Sequence, residues 1–447
     1  MTSDLLCFSH LRWDFVYQRP NHLMARAARD RRVFFVEEAV LDDGPARLEK
    51  RRHDGLVIVV PHVPADLSEE EQTAVLEGLI DDFVAREAIA APWLWYYTPM
   101  ALDWTRHLEA SAVVYDCMDE LSAFRDAPRE LLRLEAELLR RADLVFTGGR
   151  SLYEAKAGRH PRVYAMPSAV DVGHFASARR PQADPSDQAG IRRPRIGYYG
   201  VIDERINRDL VSAIAAARPD WNVVLVGPTA KLTEDEVPAG PNVHLLGMKP
   251  YEALPSYLAG WDVAIMPFAI NEATRYISPT KTPEYLAGGR PVVSTPIQDV
   301  VEPYGRLGLV RIAETPEAFI ASIDEVLEAS PEDANELRQR ADSLLAQISW
   351  DATWDRMDDL VKRETTRTLE PVMLPALPRR ALGRPVPART VPARTSATAG
   401  RAAASRTTER AAPGRAPELA ASSRTMERAA SSRTTEAARA EPLARVR

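Results

Sequence analysis

The chain has 447 residues, 45% of them hydrophobic, two cysteines and a formal charge of −7. That length predicts two or three domains with sizeable cores. The charge is uneven: from residue 371 onward there are 15 Arg against 5 Glu and neither Lys nor Asp, so the tail carries about +10 and the acidic body about −17, which excludes a nucleic-acid-binding body.

Cys7 and Cys117 both stand in apolar runs and read as buried thiols in a reducing compartment. The N-terminus has no signal-peptide pattern, and no run reaches the ~18 apolar residues of a membrane span. The expected localisation is cytoplasmic, with peripheral contact on the inner face of the plasma membrane left open.

The elements alternate from the start. Strands are predicted at Leu5–Phe8, Val33–Val36, Leu56–Val60, Trp93–Tyr97, Ala112–Tyr115, Leu144–Thr147 and Val163–Met166. Helices are predicted at Pro20–Asp30, Glu69–Ile89 and Pro128–Arg141, the last with an apolar stripe at Leu131, Leu132, Leu134, Leu138 and Leu139. Strand–helix alternation implies a parallel, doubly wound sheet. This first domain is placed at residues 1–175 and an aperiodic Pro-, Arg-, Ala- and Asp-rich linker at 176–194. A second alternating series follows at 195–345, with strands Arg195–Tyr199, Asn222–Val226, Asn242–Leu246, Asp262–Pro267 and Val310–Ile312, and helices Ile206–Ala217, Pro250–Leu258 and Pro316–Glu328. Residues 346–370 read as a helix that carries Trp350 and Trp354 on one face. The tail 371–447 is Ala, Arg, Ser, Thr and Pro with no aromatic residue, a composition that predicts disorder.

The most informative stretch is Asn271–Pro296, NEATRYISPTKTPEYLAGGRPVVSTP. It reads as a loop, a short helix with Pro283 in its first turn, a Gly288–Gly289 stop and a buried strand. A helix N-terminus favours an anion, and Ser278, Thr280 and Lys281 add two hydroxyls and an ammonium there. Glu284 would repel phosphate but suits a sugar diol. Phosphate beside ribose is what a nucleotide sugar presents.

From Glu284 to Val292 the stretch resembles the E-A-x-A-x-G-x-P-V donor signature of the retaining glycosyltransferase family with the GT-B fold, and Ser278–Tyr285 resembles its S-P-x-K-x-x-E-Y variant. The resemblance implies two facing Rossmann-like domains with an interdomain cleft, a ribose contact at Glu284, a helix at 346–370 that returns to the first domain, and a nucleotide-base border at Gly247–Pro250. The family has a second glutamate eight positions before the first; here that position is Tyr276. Gly200 stands at the first glycine of the family's donor loop, with Arg205 near its lysine. Arg205 and Lys281 are the expected diphosphate cations, with Arg275 in reserve, and no metal cofactor is expected. Arg12-Trp13-Asp14-Phe15-Val16-Tyr17-Gln18-Arg19-Pro20 resembles the W-D-F-x-x-Q-R-P phrase of teichuronic-acid-type glycosyltransferases, which places Arg12, Trp13, Gln18 and Arg19 on the acceptor side. Asp119 or Asp116, at the end of a strand, is the candidate carboxylate facing the cleft.

These readings converge on a metal-independent, retaining transfer of a sugar from a nucleotide sugar to a saccharide or lipid-linked saccharide in envelope or capsular polysaccharide assembly. Two other readings remain at this level: a nucleotide-sugar epimerase, and a catalytically silent scaffold suggested by Tyr276. A hydride-transfer enzyme is disfavoured because no G-x-G-x-x-G opens either domain.

Overall fold

The computed structural model describes residues 3–369, and the tail lies outside them. Two sheets are built. The first holds β1 (Leu5–Ser9), β2 (Val33–Glu37), β3 (Val40–Asp42), β4 (Arg47–His53), β5 (Leu56–Pro64), β6 (Trp93–Tyr96), β7 (Ala112–Cys117), β8 (Leu144–Thr147) and β9 (Val163–Ala165) in the order β3-β5-β2-β1-β6-β7-β8-β9, with β4 on β5. The second holds β10 (Arg195–Tyr199), β11 (Asn222–Val226), β12 (Val243–Leu245), β13 (Val263–Met266), β14 (Val292–Ser294) and β15 (Val310–Ile312) in the order β12-β11-β10-β13-β14-β15.

Pairing is parallel throughout except for β4, which runs antiparallel along β5. The parallel strands read as unbroken apolar runs because helices cover both their faces. β1 and β10 are buried along their whole length. Strand order reverses beside β1 in the first sheet and beside β10 in the second. Ligands of such sheets bind at those reversal points, outside the carboxyl ends of the strands.

Several expectations change in detail. β3 and β4 have no predicted counterpart: β4, RLEKRRH, is largely exposed, and its charged side chains suit an edge strand that must not pair with another chain. The first helix ends at Ala27 rather than Asp30. The helix after β10 starts at Arg208 because Asn207 caps it, accepting the N–H of Leu210 at 2.9 Å. The short helix Val172–Ala176, capped by Asp171, ends the predicted first domain and meets the expected linker only at Ala176.

The final helix, Trp350–Leu369, packs on the first lobe. Trp354 lies against Trp95, Trp350 stacks on His22 at 4.5 Å, and Asp358 pairs with Arg31. Both cysteines are buried free thiols. Among the described residues, no helix is long and apolar enough to cross a membrane.

Candidate functional site

The helix of the central stretch runs Lys281–Ala287, and Lys281 is its first residue. Gly288 ends it and Gly289 takes the left-handed conformation (φ +72°). Tyr285 ties the helix to the second sheet: its hydroxyl accepts the N–H of Tyr199 at 3.0 Å, and the two rings meet edge to face at 4.7 Å. The helix N-terminus is thereby held at the end of β10, beside the reversal point.

Two glycines of β10 and its exit have different reasons. Gly197 lies under the Trp261 indole, where a Cβ would stand 1.9 Å from Cδ2, so its role is packing. Gly200 has φ +138° and lies under the Lys281 side chain, where a Cβ would stand 2.2 Å from Cε. Only glycine suits both that backbone and that contact. Gly200→Ala is therefore expected to displace the lysine side chain.

Lys281 makes no ion pair among the described residues. Burial pushes its ammonium below the usual range, Arg205 pushes the same way, and Glu284, Asp203 and Asp119 oppose them. Arg205 is not a free cation: its guanidinium forks onto Asp203 (2.6–3.1 Å) and lies over the Phe124 ring of the first lobe at 5.4 Å. Burial lowers its affinity for the proton, but the bond and charge of Asp203 outweigh burial and raise it.

Asp119 is the first-lobe member. Burial raises its carboxyl to about 6, with Arg205 and then Lys281 the strongest opposing charges. A carboxylate on one lobe that feels two cations on the other marks the place where the strand ends face each other. Asp116 is not the alternative. It is 0% exposed and closed by Arg19, whose guanidinium donates to both its oxygens at 2.8–3.2 Å.

Glu284 sits one helical turn behind Lys281 at 6% exposure. The Tyr199 hydroxyl donates to its Oε2 at 2.7 Å. Burial raises its carboxyl, while Tyr199, Lys281 and the Thr280 hydroxyl pull it down. Of the two loop hydroxyls expected for phosphate, Thr280 pulls the Glu284 carboxyl down and Ser278 that of Asp299. Arg275 is exposed, 3.6 Å from Glu272 and over the Tyr276 ring, away from the other cations. Tyr276 packs on the apolar cluster of the first lobe that contains Leu138 and Leu152.

Of the four residues expected on the acceptor side, Trp13 and Arg19 are buried instead. Trp13 is 5% exposed and packs on Phe35 at 5.0 Å. Gln18 caps the helix Arg19–Ala27. Arg19 is 1% exposed, with Nη1 donating to the Met166 carbonyl at 2.7 Å. Arg12 is partly exposed but turns to the Glu38 carbonyl and Glu37. Aromatic and cationic side chains in this loop are used to fix the loop itself. Lys249 of the expected base border turns to Asp187 at 2.8 Å.

Sequence reading missed His10, which follows β1. Its Nδ1 is buried and unpartnered among the described residues, and burial holds the imidazole down at about 4 despite the nearby Tyr97 carbonyl. It also missed Asp299, described below. A histidine directly after the strand at the reversal point was the available signal for the first; nothing local marks the second.

Residues 193–329 match the family described as glycosyl transferases group 1. A Bacillus subtilis (strain 168) protein named for a glycosyltransferase of teichuronic acid biosynthesis, TuaH, is 28% identical over 222 residues, which are 45% of this chain and 55% of that one. The match thus spans about half the length of the curated relative. Among solved structures, an E. coli structure described as trehalose-6-phosphate bound with UDP-2-fluoro glucose is similar with a TM-score of 0.61 at 10% identity, over 81% of this chain and 99% of the other. Sucrose-phosphate synthase of Thermosynechococcus elongatus is similar with a TM-score of 0.59 at 16% identity, over 82% and 100%. Anabaena HepE in complex with UDP and glucose follows at 0.57 and 15%, over 80% and 99%. At such identities these likenesses establish the shared GT-B fold.

Proposed function

We propose, from the premise that this chain is a group 1 glycosyltransferase of the GT-B fold, a retaining transfer of a sugar from a nucleoside diphosphate to an acceptor hydroxyl. The observation that carries this reading is the meeting of Lys281 and Arg205 on one lobe with Asp119 on the other, with Glu284 one turn behind. Lys281 and Arg205 neutralise the diphosphate as it leaves, and Glu284 accepts the ribose hydroxyls. The bond from the sugar carbon to the diphosphate oxygen breaks, the acceptor oxygen takes its place on the same face, and the acceptor proton passes to the departing phosphate. Asp119 orients the acceptor.

Uridine is the base to test first, because E. coli and Anabaena proteins of this fold are described with UDP or a UDP sugar. The likeness to TuaH supports an envelope polysaccharide as the acceptor class. UDP-, GDP- and dTDP-sugars are screened by thermal shift. At ~100 Kd the correct donor adds about 2.7 kcal/mol and raises Tm by a few degrees. Glu284→Gln should weaken that donor by about tenfold or more, as a lost charged hydrogen bond does, while leaving free diphosphate binding unchanged. Equal loss of both ligands, or no shift with any donor, refutes the assignment.

A further inference from the structure

The two lobes touch at one contact that none of the donor chemistry requires. Asp299 lies in the short turn after β14, in the second lobe, and is 7% exposed. Its Oδ2 accepts the backbone N–H of Arg150 and its Oδ1 that of Ser151, both at 2.9 Å, from the first lobe just after β8. Ser278, on the donor-site loop, lies at the same place, against Gly149 beside Asp299, and its hydroxyl pulls the Asp299 carboxyl down. Neighbouring Gln298 adds a longer bond to Glu154 at 3.4 Å.

No cationic side chain pairs with Asp299 among the described residues: the Arg150 guanidinium turns to Glu154 at 3.0 Å. The buried carboxylate is satisfied by dipoles, and both backbone N–H groups that donate to it belong to the opposite lobe. Separating the lobes would strip those two at once.

The turn that supplies them is Gly148–Gly149, and it is tight on both sides. A Cβ on Gly149 would stand 2.0 Å from Asp299 Oδ2 and 2.6 Å from Ser278 Cβ. A Cβ on Gly148 would stand 2.4 Å from the carbonyl oxygen of Met118, the residue before Asp119. A continuous line of contacts thus runs from the donor loop through Ser278 and Asp299, across the two glycines, to Met118 and Asp119. Interiors packed this closely transmit displacement instead of absorbing it.

We infer that Asp299, acting through the Gly148–Gly149 turn, is a positioning residue that sets the distance between the donor loop and Asp119 when the lobes close. The inference deepens the transfer reading above and rests on it for its kinetic effect. It assigns Asp299 no contact with substrate. Donor binding is made within the second lobe and should not need it; transfer needs both lobes in register and should.

The test measures kcat, donor KM, UDP affinity and amide hydrogen exchange on the full chain for Asp299→Ala, Asp299→Asn and Gly149→Ala. The expected result is a kcat about 10- to 100-fold lower in Asp299→Ala, the range for losing hydrogen bonds to a charged group, with UDP affinity within about twofold of the parent. Asp299→Asn, which keeps one acceptor oxygen, should fall between. Gly149→Ala should resemble Asp299→Ala without altering the carboxylate. Exchange at Arg150 and Ser151 should accelerate in both. A kcat within about twofold of the parent in Asp299→Ala overturns the proposal, as does a parallel loss of UDP affinity. Unchanged exchange at Arg150 and Ser151 overturns the contact itself, and it does so even if the parent proves inactive with every nucleotide sugar, a result that would instead refute the transfer reading.

Discussion

Replacing Lys281 with methionine should lower kcat/KM for the nucleotide sugar by about 100- to 1,000-fold, the usual effect of removing one preorganised donor to a developing anion. Methionine keeps most of the side-chain volume over Gly200 and removes the charge. The expectation follows from how the two cations of the site differ. Arg205 is already committed to Asp203 through three contacts, so its charge is largely compensated before any ligand arrives. Lys281 has no such partner among the described residues, and burial destabilises its ammonium. An anion entering the cleft relieves that cost, so most of the electrostatic gain should come from the lysine. For the same reason the variant should not lose stability without ligand: a half-buried cation without an ion-pair partner among the described residues is removed and no ion pair is broken. Lys281→Arg should not rescue. The guanidinium is planar and larger, and the lysine Nζ already stands where a Cβ on Gly200 would be 2.7 Å away. Steady-state kinetics with the donor that gives the largest thermal shift, together with calorimetry on UDP, checks this. A methionine variant within tenfold of the parent would move the phosphate site elsewhere.

The helix at the centre of the candidate site was legible because its signal is local. Pro283, Glu284, Tyr285, Gly288, Gly289 and Pro291 all serve one helix and its exits, so a short window of sequence contains the reason for each. Even there the hydroxyl partners were not readable: Ser278 and Thr280 have the right chemistry for phosphate, yet each also acts on a carboxylate, Asp299 and Glu284. The first-lobe loop failed for a related reason. Trp13, Gln18 and Arg19 have side chains equally suited to a sugar and to a protein interior, and the partner that decides for Arg19 is Asp116, 97 residues away. Asp299 finds its partners about 150 positions upstream, at backbone groups that leave no mark in composition. β4 was missed because strand patterns are found through buried alternation, and an edge strand made of charged residues has none.

Asp119→Asn should do two things that pull in opposite directions, and the pair distinguishes a functional carboxylate from a structural one. Burial raises the Asp119 carboxyl from 3.8 to about 6, against the pull of Arg205, Lys281 and Arg19. The folded chain therefore holds this proton more tightly than the unfolded chain does. The stability that Asp119 contributes is fully present below about pH 4 and is lost as pH rises through about 6. Asparagine never ionises, so Asp119→Asn should raise Tm at pH 7.5, and the difference should shrink to nothing near pH 4. Activity should go the other way. In the parent, kcat/KM should rise with pH through an inflection near 6 as the carboxylate forms; in Asp119→Asn that inflection should disappear and the plateau should fall by about 100-fold, the lower range for a group that orients or accepts a proton. A residue that only capped a turn would show neither the gain in Tm at pH 7.5 nor the lost inflection. Thermal melts at the two pH values and a pH–rate profile decide it. An asparagine variant with the parent's rate, or with a lower Tm at pH 7.5, would remove Asp119 from the reacting centre and leave the first lobe's contribution to be sought at His10.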